Sequence, residues 1–186
     1  MLLLIRIALT FFLFFLNIHP GHSQNQTSKK KLLMDDTEIR IDAMNAVNDL
    51  YNFDFEKAER QFGWLKQKYP KHPLPYFLFG LSKWWSMLPD FENGKNDESL
   101  IAYMDTVIEY CEDMFDKDEN DIEATFFSAA AYGFLGRLHG ERHHWRKAVY
   151  NGFKALKYIK EGEELGEFSY EFLFGSGIYY YYSVWI

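Results

Sequence analysis

The sequence predicts an all-α protein of about seven helices, arranged as antiparallel helical hairpins. Three observations support this prediction. Apolar residues recur at steps of three and four along most of the chain, as they do on one face of a helix. Prolines, glycines and short polar segments separate these stretches. The segment 54–85 joins two such helices through a turn at Pro70, and both helices have apolar faces that need stacked neighbours to bury them.

Composition places the chain among globular proteins and excludes one class of partner. Its 186 residues are 48% hydrophobic and 25% charged, which is enough apolar material for one folded domain. A net charge of -7 argues against a nucleic-acid partner, which requires a concentrated basic surface. The single cysteine, Cys111, cannot form an intramolecular disulfide and is interpreted as a core thiol.

The first 23 residues have the pattern of a signal peptide. Arg6 is their only charge, an apolar run covers 7–16, and Pro20 precedes the small residues Gly21 and Ser23. Cleavage before Gln24 would leave a disordered polar leader at 24–35 and a domain at 36–186 without a stable membrane span. The alternative is an uncleaved membrane anchor. The expected location is therefore the periplasm, the cell envelope or the exterior.

The first three helices are predicted from their apolar stripes and their end signals. The first covers 36–51, and Asp54 is placed to cap the second, which ends at Pro70. The third covers 76–85 and begins after Pro75, since proline is tolerated in a first turn.

The remaining helices follow the loop 89–96. The fourth is predicted at 97–115, and Asn120 is predicted to cap the fifth, which extends to 138 and contains small residues that allow close helix approach. The sixth, 145–160, is predicted to bury Trp145 and Val149, with Gly162 in the linker behind it. A seventh helix begins near Ser169.

Two kinds of internal similarity appear along the chain. The tetrapeptide FLFG at 77–80 recurs at 172–175, and an aromatic pair follows each copy. A small residue also precedes an alanine by 12 positions twice, from Ala46 to Ala58 and from Gly136 to Ala148. These offsets resemble the tetratricopeptide repeat (TPR), in which a small residue of helix A packs against an alanine of helix B. The matching residues are Ala46, Phe55, Ala58, Phe62 and Pro70 in the first unit and Gly136, Trp145, Ala148 and Ala155 in the third.

The resemblance implies a right-handed TPR-like solenoid over 36–186, with the last repeat incomplete. The chain is also similar to degenerate repeat proteins that are secreted to bacterial envelopes. The loop 89–96 takes the second unit out of register, and His139 and Lys160 stand where the pattern prefers tyrosine and proline. An ordinary helical bundle is the alternative.

The same resemblance implies a non-catalytic scaffold that binds a polypeptide in a groove lined by its A helices. Large aromatics and arginines are typical anchors of such a groove, although any single aromatic of this kind is more often part of the core. The candidate groove residues are Arg40, Phe77, Leu81, Trp84, Trp85, Arg137, Phe172 and Tyr179. A second hypothesis is a helical pocket that binds an apolar or carbohydrate ligand. The aromatic carboxyl-terminal segment could also join two copies of the chain.

Two motifs partly match known metal-binding patterns. His139, Glu141, His143 and His144 do not have the His-Glu-x-x-His spacing of a zinc protease. The acidic series that starts at Asp116 lacks the glycine and the glutamate of a calcium loop. The sequence therefore predicts no catalytic residues, no metal and no cofactor.

Overall fold

The computed structural model describes residues 32–33, 36–165 and 169–183. This described part contains seven α-helices and no β-strand. In chain order the helices are α1 (Thr37–Tyr51), α2 (Phe55–Lys68), α3 (Pro73–Met87), α4 (Asp97–Phe115), α5 (Ile122–Glu141), α6 (Trp145–Leu165) and α7 (Ser169–Ser183). Two short 3-10 turns, Leu88–Asp90 and Gly94–Asn96, connect α3 to α4. The all-α class and the predicted number of helices are confirmed.

Side chains that cap exposed backbone amides explain where several helices begin. The carboxylate of Asp54 accepts a hydrogen bond from the amide of Lys57 at 3.2 Å, as predicted for the start of α2. The amide of Leu74 donates to Nδ1 of His72 at 3.2 Å, so α3 begins at Pro73, three residues before the predicted start.

The cap of α5 was predicted wrongly. Asp121 takes that role in place of Asn120, and its carboxylate accepts a hydrogen bond from the amide of Ala124 at 2.9 Å. Asp121 is only 2% exposed, so the start of α5 is buried, and the amide of Ala124 would be costly to leave there without a hydrogen bond. Both residue types are good caps, and only the register of the helix in the core distinguishes them.

Consecutive helices pack against each other from α1 to α7, and α5 and α6 share the most extensive contact. The alternate helices α1, α3 and α5 also touch in succession. The fourth and sixth helices meet through the stacked rings of Phe115 and Tyr158, whose centroids are 5.7 Å apart. The close approach of α5 to α6 depends on Gly136, because a Cβ there would lie 3.3 Å from the backbone nitrogen of Gly152.

The last helix is attached through a second glycine. Gly162, predicted to lie in a linker, is inside α6, and a Cβ at this position would overlap the ring of Phe172 from α7. Gly175 of α7 lies against Ile159 of α6 in turn. Small residues on both helices therefore let α7 pack closely on α6.

The predicted signal peptide at 1–23 and most of the predicted leader at 24–35 lie outside the described residues. Leu32 and Leu33 are described, and both pack on the core, with Leu32 only 8% exposed. Packed structure therefore begins before residue 36, the predicted boundary. Among the described helices, none combines the length and the apolar character needed to cross a membrane.

Candidate functional site

The aromatic residues predicted to line a groove are buried between helices. Trp84 is 8% exposed and packs edge-on against Phe134 of α5, with ring centroids 5.2 Å apart. Trp85 is 3% exposed and makes the same kind of contact with Tyr51 of α1 at 4.9 Å. Phe77, Leu81 and Phe172 are also buried. These five side chains join helices to one another, which corrects the expectation that they face a binding groove.

Two other candidates, Arg40 and Arg137, lie on different helices. Arg40 is exposed on α1. Arg137, on α5, forms an ion pair with Glu141 one turn later in the same helix. The side chain of Tyr179 lies outside the described residues. Among the seven candidates whose side chains are described, five are buried and the two arginines lie on different helices.

A different set of apolar side chains is exposed, on the outer side of α6. Trp145 is 55% exposed, Val149 is 52% exposed and Phe153 is 63% exposed. They follow each other at steps of four, so they lie along one side of the helix. Arg146 and Lys160, both exposed, stand seven residues before and after Phe153 and share its side of the helix. We call these five residues the α6 face.

The exposure of Trp145 and Val149 contradicts the sequence prediction that both are buried. Two lines of residues with helical spacing run along α6, and only one of them can point inward. The inner line is Asn151, Ala155, Ile159 and Gly162, all buried. Gly136 of α5 lies against this side of α6 near Asn151, and Gly162 on this line admits Phe172 of α7. The two neighbouring helices therefore cover this side closely, and the bulkier residues turn outward.

A shallow depression lies at the start of the α6 face. It has a volume of about 370 Å³ and is lined by His143, His144, Trp145, Arg146 and Lys147. The backbone of His143 has φ 56°, a left-handed conformation that turns the chain between α5 and α6. An indole ring, two cationic side chains and a helix amino terminus suit a carboxylate carried on an apolar group.

A second depression, of about 740 Å³, lies where α1 meets α2. Asp49 is engaged within it: Nζ of Lys57 donates to one carboxylate oxygen at 2.8 Å and Nε2 of Gln61 donates to the other at 2.6 Å. The hydrogen bond from Lys57 lowers the pKa of Asp49. Asn45 and Trp64 also line the depression, and Trp64 is 46% exposed.

The titratable groups of α4 and α5 serve packing. Arg142 donates through Nε and Nη2 to the two carboxylate oxygens of Asp97, at 2.6 and 2.8 Å, and ties the end of α5 to the start of α4. Burial, with the nearby charge of Lys147, lowers the pKa of His139. Burial raises the pKa of the Cys111 thiol to about 12, so it stays protonated at neutral pH and is a poor nucleophile. Within 32–33, 36–165 and 169–183, no group of three or more His, Cys, Asp or Glu side chains is arranged to hold a metal ion.

The residues predicted from the sequence do not include Phe153, although the sequence contains a signal for its exposure. Between 145 and 160 the chain has five lysines and arginines and no acidic residue, although its net charge is -7. Cations that share a helix side with Phe153 indicate that this side faces solvent. The spacing of the α6 face together with its charge would therefore have predicted its exposure.

Comparison of the chain with protein-family models, with curated proteins and with solved structures finds no match.

Proposed function

We propose that the protein is a non-catalytic interaction scaffold, with helical hairpins stacked in a TPR-like solenoid, that holds another polypeptide on the α6 face. The site of export proposed from the sequence, a cell envelope or the exterior, would be its place of action. The observation that carries this proposal is the exposure of Trp145, Val149 and Phe153 on an otherwise well-packed helix. Clustered exposed apolar side chains with a charged rim are typical of protein-binding surfaces.

The pattern of helix contacts also supports a scaffold. Contacts between consecutive helices, together with those among α1, α3 and α5, are those expected of stacked hairpins. The outer helix of a hairpin near the end of such a stack has one side without a neighbour, where a partner can bind.

Site-specific photo-cross-linking tests the proposal with a matched control. A benzoylphenylalanine is placed at position 149 or at position 41, because Val149 and Ile41 are both 52% exposed but lie on α6 and α1. Each purified protein is irradiated in an envelope extract of its own cells. We expect a discrete polypeptide adduct from position 149 and none from position 41.

Two results would contradict the proposal. The first is the absence of any polypeptide adduct from position 149. The second is the same adducts from both positions, which would show contact with apolar surface in general and no specific site. Circular dichroism of both proteins controls for loss of helix.

A second candidate function has an observation of its own. The depression between α1 and α2 combines the exposed ring of Trp64 with the amides of Asn45, Asn48 and Gln61, a combination suited to a carbohydrate. Native mass spectrometry of freshly purified protein checks this function. A copurifying saccharide that is lost in Trp64→Ala would favour it, and the unliganded mass alone would count against it.

A further inference from the structure

We infer that the α6 face binds an acidic amphipathic helix of its partner. This inference rests on the proposed function and adds the chemistry of the bound segment. Helices with apolar side chains at steps of three and four commonly dock against apolar surfaces of other proteins. Which kind of helix fits here follows from the charge and the spacing of the α6 face.

Charge on this face opposes that of the whole chain. The face itself carries two cations, Arg146 and Lys160, and the stretch 145–160 contains five lysines and arginines and no acid, in a chain of net charge -7. The glutamates of α6, at 161, 163 and 164, all follow this stretch. Lys157 is partly neutralised by Glu161, at 3.4 Å. Within the part of the chain that the structure describes, Arg146 and Lys160 form no ion pair with a carboxylate. A partner with acidic groups would therefore be attracted to this face and oriented on it.

Spacing on the α6 face matches one helical segment. Val149 and Phe153 form an apolar centre, with Arg146 on one side and Lys160 on the other along the same line. The two cations are 14 positions apart in a regular helix, about 21 Å along its axis. A helix of similar length with apolar residues in its middle and carboxylates near both ends complements this line. The depression beside Trp145 gives one of these carboxylates a place to bind.

The surroundings favour a narrow partner over a flat anionic surface such as a membrane. The acidic helix α4 borders α6: Phe115 stacks on Tyr158, and Lys147 acts electrostatically on Asp105. Glu98, Glu109 and Glu112 of α4 are exposed. Anionic lipid headgroups spread across both helices would be repelled by these carboxylates, whereas a single helix lying along α6 would not.

Fluorescence anisotropy with two designed peptides tests the inference on the full-length chain. One labelled helical peptide carries glutamates, with leucines at steps of three and four, and the other has lysine in place of every glutamate. The protein variants are Arg146→Glu/Lys160→Glu and the matched control Arg40→Glu/Lys71→Glu, which changes net charge equally at exposed sites on α1 and before α3. We expect the glutamate peptide to bind the wild type and the control about tenfold or more tightly than the α6 variant. The lysine peptide should prefer the α6 variant.

Equal binding of the glutamate peptide to all three proteins would overturn the inference, and so would equal binding of both peptides to the wild type. Cosedimentation with phosphatidylglycerol vesicles, if lost in Arg146→Glu/Lys160→Glu while neither peptide binds, would replace the helix with a membrane surface. Self-association of the wild type that is lost in the same variant would show that a second copy of the chain, and not an acidic helix, binds the α6 face.

The cross-linking experiment separates this inference from the proposed function. An adduct at position 149 that forms equally well in Arg146→Glu/Lys160→Glu would leave the scaffold standing and remove the acidic helix. Tight binding of the glutamate peptide without any polypeptide adduct from position 149 would contradict the proposed scaffold function.

Discussion

Replacement of Gly162 by alanine should destabilise the protein and loosen α7, although alanine is the better helix former. A Cβ at position 162 would overlap three atoms of the Phe172 ring, which is 2% exposed. The ring cannot give way easily, because it also packs against Phe126 of α5, with centroids 6.3 Å apart. The substitution must therefore displace Phe172 and the helix that carries it.

Two opposing effects set the size of the change. Alanine in place of glycine inside a helix contributes about 1 kcal/mol of stability. Overpacking of a core contact costs about 1–3 kcal/mol, and loss of a buried phenylalanine costs about 3–5 kcal/mol. We expect a net loss of roughly 1–2 kcal/mol, because the end of a terminal helix can move away from its neighbour at less cost than a central one.

Gly133→Ala is the matched control, since a Cβ on that glycine of α5 meets nothing within 4 Å. Urea denaturation should show Gly133→Ala to be stabilised by up to about 1 kcal/mol and Gly162→Ala to be destabilised. Hydrogen exchange should be faster in α7 of Gly162→Ala alone. Stabilisation of both variants by the same amount would refute the packing of Phe172 on Gly162.

Two further predictions concern α5. Asp121→Ala should lower the free energy of unfolding, measured in urea, by about 1–2 kcal/mol because the helix loses its cap, whereas Asn120→Ala should change it by less than about 0.5 kcal/mol. Similar losses in both variants would contradict the assignment of the cap to Asp121. His139→Gln should make stability less sensitive to acid. Folding lowers the pKa of His139 from 6.5, so below about pH 6.5 the unfolded wild-type chain takes up a proton more readily than the folded one, and the wild type loses stability. Urea denaturation of the wild type and His139→Gln at pH values from about 7 to about 5 measures this, and parallel curves would contradict it.

Local sequence signals predicted most of the helices because these signals act within a few residues. The segment 97–115 becomes α4 with the predicted bounds, since its apolar stripe is long and its ends are polar. Asp54 caps α2 as predicted because a cap contacts only the first turn of its own helix. Gly162 was misplaced because its need for glycine comes from Phe172, ten residues later in the chain, and no local pattern records that contact.

The exposure of the large aromatic side chains was predicted less well for a related reason. Trp84 and Trp145 are alike in residue type and both lie on apolar helix sides, yet one is 8% exposed and the other 55% exposed. The difference depends on which side of each helix meets a neighbour. For α6 small residues decide this, because Gly136 of α5 and Gly162 of α6 let α5 and α7 pack closely on one side of the helix. Large aromatics attract attention in a sequence, but burial follows from the helix contacts they can make.

Photo-cross-linking at position 149, compared with position 41, tests the central claim most directly. The α6 face is the proposed contact with a partner, and Ile41 adjoins Arg40, a member of the groove predicted from the sequence. We predict a polypeptide adduct from position 149 and none from position 41. An adduct from position 41 alone would show that the partner binds along α1, and it would contradict the assignment of the α6 face.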